Sequence, residues 1–178
     1  MKTRNIALCG LFTALLILCA WISLPFGDSP ITLQTFGIFL CLGTLGGKLG
    51  AISVVTYLLL GAIGFPAFSG FRGGFGALLD STGGYLLGFF VAALVYWLIT
   101  ALFGRTAVVK LSAMASGLVA CYICGCLWFS IIYLQSGNPT TLSFILLKCV
   151  LPYLLPDALK LLLAWQLSNR LSPFVESK

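Results

Sequence analysis

Six long apolar runs, separated by short polar gaps, dominate the pattern of hydrophobic and polar positions in this chain. The hydrocarbon core of a bilayer is about 30 Å thick, and roughly 20 helical residues are needed to cross it. The runs cover residues 6–24, 35–46, 49–63, 84–103, 111–134 and 142–171. The pattern therefore predicts an all-α integral membrane protein, a compact bundle of six membrane-spanning helices.

The second and sixth runs depart from a plain apolar helix. Pro30, Thr32 and Gln34 lead into the second run, which we expect to form a short or broken helix. The sixth run is predicted as one helix, although it contains charged and helix-breaking residues: Lys148, Pro152, Pro156, Asp157 and Lys160. Proline is favourable at a helix start, and we expect Pro156 to act in this way beside Asp157.

Charged residues are scarce and lie mostly in the gaps. They make up 8% of the chain, against about a quarter in soluble domains, so the composition excludes a water-soluble domain. With six crossings, both termini and most basic residues lie on one side: Lys2, Arg4, Lys48, Arg105, Lys110, Arg170 and Lys178. The outer gaps hold Asp28, Arg72 and Asp80. The positive-inside rule makes the basic side the cytoplasm, so the net charge of +6 indicates orientation rather than nucleic-acid binding.

The chain lacks the side chains that most catalysis uses. It has no histidine and only four acidic residues, so the commonest general base is absent. Residues 43–48, GTLGGK, do not have the spacing of a Walker loop, so ATP hydrolysis for any active transport requires another chain. Cys121, Cys124 and Cys126 lie in one predicted span, where cysteine serves as a small apolar residue. We predict one membrane domain over residues 1–178 with no enzymatic activity, cofactor or metal site.

Asp157 and Lys160 are the chief candidates for ligand binding. They are three residues apart and therefore share a helix face. Counting back from Arg170 at the cytoplasmic boundary places Asp157 roughly 20 Å into the membrane, at 1.5 Å per residue. An ionised group there costs at least about 2.5 to 3.5 kcal/mol, so we expect both side chains to face the bundle interior beside a ligand pocket. The alternative is a mutual salt bridge that only joins helices.

Neutral polar groups precede the second helix on its outer side. Thr32, Gln34 and Thr35 offer hydrogen-bond donors and acceptors that suit an amide-like or ureido ligand. Capping of the helix by Thr32 or Thr35 is an equally good explanation, and the two roles are compatible.

A glycine-rich and phenylalanine-rich outer loop covers residues 64–83. Glycine lets a backbone approach a ligand closely, and phenylalanines supply apolar walls, so we expect a pocket rim or lid. Its phenylalanines are Phe65, Phe68, Phe71 and Phe75. Arg72 is suited to bind a carboxylate or a ureido oxygen. Pairing of Arg72 with Asp28 or Asp80 at the membrane surface is the competing role.

Gly10 and Ala14 stand four residues apart and give the first helix a face of small side chains. Such faces let helix backbones approach closely in lipid. The face could pack within the monomer or dock onto a separate membrane subunit, and the sequence leaves both possibilities open.

Four segments together resemble the BioY family. They are residues 30–37 (PITLQTFG), 57–79 (YLLLGAIGFPAFSGFRGGFGALL), 82–89 (TGGYLLGF) and 155–160 (LPDALK). That family comprises the biotin-specific substrate-binding membrane subunits, or S components, of bacterial energy-coupling factor (ECF) transporters. The resemblance implies a six-helix S component in the bacterial cytoplasmic membrane. Its expected partners are biotin, the lipid bilayer, a transmembrane coupling protein and two ABC-type ATPase subunits. No nucleic acid is expected to bind.

The resemblance also implies roles for the candidate residues. Asp157 would accept bonds from the ureido N–H groups of biotin, while Lys160 or Arg72 would meet an oxygen. Tyr85, Phe71 and Phe75 would cover the ring system. Gln34 would complete the polar shell, and Gly10 and Ala14 would dock on the coupling protein.

Three alternatives remain at this level. The chain could be an S component for a different small vitamin, or a membrane assembly subunit without a ligand. A membrane-embedded transferase is the third alternative, but it would require a nucleophile, a general base or paired metal-binding carboxylates.

Overall fold

The computed structural model describes residues 2–24, 30–135 and 141–176, and most of these residues are helical. The helices are α1 (Thr3–Trp21), α2 (Gln34–Leu45), α3 (Gly47–Ala62), α4 (Phe75–Leu79), α5 (Gly83–Phe103), α6 (Ala107–Gln135), α7 (Leu142–Cys149) and α8 (Leu151–Glu176). Two short strands, β1 (Ser23–Leu24) and β2 (Ile31–Thr32), lie between α1 and α2 in the chain and pair with each other in antiparallel orientation. The predicted all-α class is confirmed. Asp28 and Lys178 lie outside the described residues.

Three of the described helices are long and apolar enough to cross a bilayer. They cover Thr3–Trp21, Gly83–Phe103 and Ala107–Leu134. α2 and α3 are also apolar but have only 12 and 16 residues. The second predicted run is therefore a short helix, and it is unbroken.

The predicted sixth span is two helices in the structure. α7 ends at Cys149, and Val150, with φ −122° and ψ −56°, separates it from α8. Proline has no N–H and its ring crowds the carbonyl four residues earlier, so Pro152 opposes continuation of α7. Pro156 lies inside α8 rather than at a helix start, which corrects the role predicted for it.

α2 is the central helix of the bundle. Every residue from Gln34 to Leu45 except Phe36 is buried. Four helices enclose it, since α2 contacts α1, α3, α5 and α8. Its first turn, with Gln34 and Thr35, faces the cavity described below.

Glycines allow α5 and α6 to pack closely. A Cβ atom at Gly84 would lie 2.9 Å from the carbonyl oxygen of Cys124, and one at Gly88 would lie 2.9 Å from that of Cys121. Gly125 of α6 lies against the ring of Tyr85. Small residues permit this approach of two backbones in lipid. The contact brings Tyr85 and the segment around Cys121 together at one end of the bundle.

The predicted loop at residues 64–83 contains its own helical structure. A short 3₁₀ helix covers Ser69–Phe71, and α4 covers Phe75–Leu79. The indole N–H of Trp21, at the end of α1, donates to the carbonyl oxygen of Pro66 at 2.7 Å. This bond attaches the loop to α1.

Candidate functional site

A cavity lies among α2, α5, α6 and α8, beneath the segment from Phe68 to Thr82. It is open at its mouth, and the space inside it and in front of it totals about 760 Å³. Its wall combines apolar side chains with a few converging polar groups, which is the usual composition of a small-molecule pocket.

The buried polar end of the cavity is formed by Asp157 and Lys160. The Lys160 ammonium lies 2.8 Å from Oδ1 of Asp157, and the two side chains are only 12% and 10% exposed. The Tyr122 hydroxyl donates to Oδ2 of Asp157 at 2.7 Å. All three residues line the cavity. The two predicted charges therefore pair with each other, yet their ion pair lies against open space rather than within a packed bundle.

Gln34 forms a second polar group in the wall. Its amide N–H donates to the hydroxyl of Tyr57 at 2.7 Å, and its carbonyl oxygen accepts from the hydroxyl of Thr32 at 2.9 Å. The hydroxyl oxygen of Thr32 also accepts from the backbone N–H of Gln34 at 3.3 Å. The N-cap residue of α2 is Leu33, so the predicted capping by Thr32 or Thr35 is wrong, although Thr32 contacts the first turn of α2 and lines the cavity.

Arg72 lies at the rim of the cavity and is already paired. Its guanidinium lies 2.6 Å from the carboxylate of Asp80 and 3.4 Å from the hydroxyl of Thr82. Its Nε donates to the carbonyl oxygen of Ser69 at 3.3 Å. About half of each side chain in the Arg72–Asp80 pair is exposed, so water screens the attraction.

Asp80 is held in its ionised form at the same rim. The backbone N–H of Ser81 donates to its carboxylate at 2.7 Å, and Arg72 binds the other oxygen. These contacts hold the pKa of Asp80 below its ordinary value. Asp80 therefore stays charged at neutral pH and keeps Arg72 in place.

Tyr85 joins the cavity wall to the break between α7 and α8. Its hydroxyl donates to the carbonyl oxygen of Cys149 at 2.7 Å. Because α7 ends at Cys149, this bond attaches Tyr85 to the end of α7. The ring of Tyr85 also meets that of Tyr122 edge-on, with centroids 6.5 Å apart.

The structure places five of the seven predicted ligand-binding residues in the cavity wall. These are Asp157, Lys160, Arg72, Tyr85 and Gln34. The other two, Phe71 and Phe75, are 63% and 66% exposed and do not line it. The ring of Phe71 lies 4.9 Å from that of Trp21 instead. Phe68, which is 2% exposed, is the phenylalanine of this loop that forms an apolar wall, opposite Phe89 of α5 and Leu118 of α6.

Tyr122 and Tyr57 were not among the predicted site residues. Each lies within a long apolar run, where an aromatic residue gives no periodic signal that separates a core position from a cavity position. A weaker signal was available, because a tyrosine hydroxyl buried at membrane depth requires a hydrogen-bond partner.

The small-residue face of α1 is exposed. Gly10 and Ala14 both lie on the outside of the bundle, and a Cβ atom at Gly10 would meet no atom of the described residues within 4 Å. This face therefore does not pack against the described part of the chain. Its role in docking stays a prediction.

Cysteines and acids do not assemble into a metal site within the described ranges. No group of three His, Cys, Asp or Glu side chains is found there. Cys121 lines the cavity as a buried free thiol, and its sulfur lies 3.6 Å from the carbonyl oxygen of Tyr85.

Comparisons with known proteins agree with this architecture. A family model described as the BioY family matches residues 1–177. A probable biotin transporter BioY of Pyrococcus horikoshii is 37% identical over 96% of this chain and 98% of its own length. The biotin transporter BioY of Thermotoga maritima is 49% identical over 96 residues, which are 54% of this chain and 57% of that protein.

A solved structure shows the same fold. The crystal structure of the S component for biotin from an ECF-type ABC transporter matches with a TM-score of 0.83 and 28% identity. The match covers 96% of this chain and 91% of that one. The relatives are transporters rather than enzymes, and the apolar helices agree with a multi-pass membrane protein.

Proposed function

Because this chain belongs to the BioY family, we propose that it captures biotin in the cavity and delivers it to an ATP-driven ECF transporter as the substrate-binding subunit. The expected partners are a transmembrane coupling protein and two ABC-type ATPase subunits. The single observation that carries the proposal is a buried ion pair, Asp157 with Lys160, which lies in the wall of this cavity.

The polar groups at the buried end match the ureido ring of biotin. That ring offers two N–H donors and one carbonyl acceptor. A carboxylate has about four lone-pair sites, and the contacts with Lys160 and Tyr122 occupy two of those on Asp157. The Lys160 ammonium has further N–H groups beyond the one it donates to Asp157. Asp157 can therefore accept ureido N–H bonds while Lys160 donates to the ureido oxygen.

Apolar walls match the sulfur-containing ring of the ligand. Phe68, Phe89 and Leu118 line the cavity beside its polar end, and Tyr85 adds an aromatic surface. This arrangement supports binding of the bicyclic head group next to Asp157.

The tail carboxylate of biotin fits best at the rim. Arg72 lies there, and it is exposed to water in part. A ligand carboxylate would compete with Asp80 for the guanidinium, or share it, because an arginine presents five N–H donors. We assign the tail to Arg72 and the head group to Asp157 and Lys160.

Charge and chain ends support a cytoplasmic location of both termini. Arg4 of α1 donates to the carbonyl oxygens of Phe174 and Val175 in α8, at 3.2 and 2.9 Å. At the same end, the Lys110 ammonium donates to the hydroxyl of Ser172 at 2.9 Å. The two ends of the chain therefore lie together among basic residues, which the positive-inside rule assigns to the cytoplasm.

Calorimetric titration of the purified protein with biotin tests the proposal. We expect saturable binding by the wild type, and at least about 30-fold weaker binding by Asp157→Asn. The expected loss reflects removal of one member of a buried charge pair that contacts the ligand, at a cost of about 2 kcal/mol or more. Gln166→Asn changes an exposed polar residue of the same helix outside the cavity wall, so the affinity of this control variant should stay within about threefold of the wild-type value.

Three results would contradict the proposal. Wild-type protein that ignores biotin but binds another vitamin, such as thiamine or riboflavin, would change the assigned ligand. Wild-type protein that binds no vitamin would favour an assembly subunit. Full biotin affinity in Asp157→Asn would remove Asp157 from the site.

A further inference from the structure

Tyr122 makes the contact that fixes the orientation of the Asp157 carboxylate. The two oxygens of Asp157 receive donors from different places, Oδ1 from Lys160 on the same helix and Oδ2 from Tyr122 on α6. A lysine ammonium sits on a flexible four-carbon stem, whereas a tyrosine side chain has two rotatable angles. The tyrosine therefore provides the more rigid of the two contacts.

The ring of Tyr122 is itself held in place. It meets the ring of Tyr85 at 90°, and the hydroxyl of Tyr85 is bound to the carbonyl oxygen of Cys149. The backbone of α6 at Gly125 lies against the ring of Tyr85, so this ring has little room to move. A continuous series of contacts therefore connects the end of α7 with the carboxylate on α8.

The direction of the hydrogen bond determines what this part of the wall offers to a ligand. Tyr122 donates its hydroxyl proton to Asp157, so it presents lone pairs to the cavity that it lines. Asp157 likewise presents lone pairs. The wall at Tyr122 and Asp157 consequently accepts N–H groups and repels carbonyl oxygens.

A simpler role for Tyr122 is satisfaction of a buried hydroxyl, which tyrosines usually achieve in any core. Two observations go beyond that role. The hydroxyl of Tyr122 donates to Asp157, the charged group that binds the ligand in the proposed function, and Tyr122 lines the same cavity. A hydroxyl that needed only a partner could bond to a backbone carbonyl, as the hydroxyl of Tyr85 does.

We propose that Tyr122 is a positioning residue that selects ligands with paired N–H donors, by holding the Asp157 carboxylate with its free lone pairs directed into the cavity. This inference rests on the proposed function and deepens it, because it assigns the recognition of the ureido N–H groups to a tyrosine–aspartate pair. The chemical class that the pair recognises is a cyclic urea.

A thermodynamic cycle between protein and ligand tests the inference. The protein forms are the wild type and Tyr122→Phe, and the ligands are biotin and its two cyclic carbamate analogues, in which one ureido N–H is replaced by oxygen. Calorimetry gives each affinity in detergent. Tyr133→Phe is the matched control, because Tyr133 lies three turns further along α6 and packs on Phe129, with ring centroids 4.3 Å apart.

We expect Tyr122→Phe to weaken biotin binding by about tenfold to hundredfold, the range for a lost hydrogen bond to a charged group. At least one carbamate should bind the wild type much more weakly than biotin. In Tyr122→Phe the preference for biotin over that carbamate should fall severalfold, because a loosely held carboxylate no longer distinguishes the two. Tyr133→Phe should keep the wild-type affinity and preference.

A purely structural role would lower all affinities by the same factor, so an unchanged preference in Tyr122→Phe overturns the inference. The double variant Asp157→Asn with Tyr122→Phe provides a second test, which also applies if the single variant does not fold. Its biotin affinity should equal that of Asp157→Asn within about threefold, and a larger further loss overturns the inference. If the wild type does not bind biotin, the proposed function fails together with this inference. If the wild type binds biotin and the preference in Tyr122→Phe is unchanged, only this inference fails.

Discussion

At the scale of residues, the site depends on charges that are expensive to bury. Asp157 and Lys160 were predictable because ionised groups inside an apolar run are rare and must face the interior. Tyr122 and Tyr57, which hold the polar groups Asp157 and Gln34, were not predictable. Their positions follow from which helices become neighbours, and the sequence of one helix does not contain that information.

Removal of Lys160 separates the structural role of the ion pair from its binding role. Lys160→Met leaves the Asp157 carboxylate buried without its counter-ion, a change that typically costs about 3 to 5 kcal/mol. We expect a lower melting temperature in detergent and weaker biotin binding. The double variant with Asp157→Asn should recover the melting temperature, because it buries no charge, but not the binding.

Thermal unfolding and calorimetry of the wild type and both variants check this prediction. A double variant as unstable as Lys160→Met would show that the pair serves the fold. Wild-type biotin affinity in Lys160→Met would show that the ligand does not use the ammonium.

At the scale of elements, apolar length predicted where helices occur but not where they break. The break at Val150 depends on Pro152, which removes one N–H and crowds one carbonyl, and a count of apolar residues does not register this effect. The loop was harder to predict. Phe71 has a φ of 58°, a value unusual for a residue with a side chain, and its ring contacts Trp21 rather than the cavity. Glycine-rich segments have no periodicity from which such directions can be predicted.

The α5–α6 contact yields a prediction at the same scale. A Cβ atom at Gly88 would lie 2.9 Å from both the carbonyl oxygen and the sulfur of Cys121, and 3.1 Å from its Cα atom. Backbone atoms cannot move aside cheaply, so Gly88→Ala should separate α5 from α6 and lower the melting temperature by several degrees.

The same displacement should weaken biotin binding, because Tyr85 and Tyr122 lie on the two separated helices. Gly76→Ala is the matched control, since a Cβ atom there meets nothing within 4 Å. Thermal unfolding with and without biotin checks both variants. Wild-type behaviour of Gly88→Ala would contradict the packing described for α5 and α6.

At the scale of the whole molecule, the proposed orientation rests on the distribution of charge, and the proposed docking surface rests on the distribution of small residues. The predicted basic side agrees with the position of Arg4 against the end of α8. The face containing Gly10 and Ala14 is exposed, so it is available to a coupling protein. The sequence suggested this face, but only the arrangement of helices showed that none of the described helices covers it.

A larger side chain on this face should lower biotin uptake without changing biotin binding. We expect Ala14→Leu to bind biotin as the wild type does, because Ala14 does not line the cavity. Uptake of labelled biotin by cells that express the coupling protein and the ATPase subunits should fall severalfold. Ala101→Leu makes the same change on the exposed side of α5 and should leave uptake intact. Equal uptake by all three proteins would place the docking surface elsewhere.

The central claim is that biotin rests against the buried pair of Asp157 and Lys160. A crystal structure of the protein with biotin bound tests it most directly. The account predicts electron density for the ureido ring between Gln34 and Asp157, with a ring nitrogen within hydrogen-bond distance of the carboxylate, about 2.7 to 3.2 Å. Biotin bound at another place, with the ion pair untouched beside an empty cavity, would contradict it.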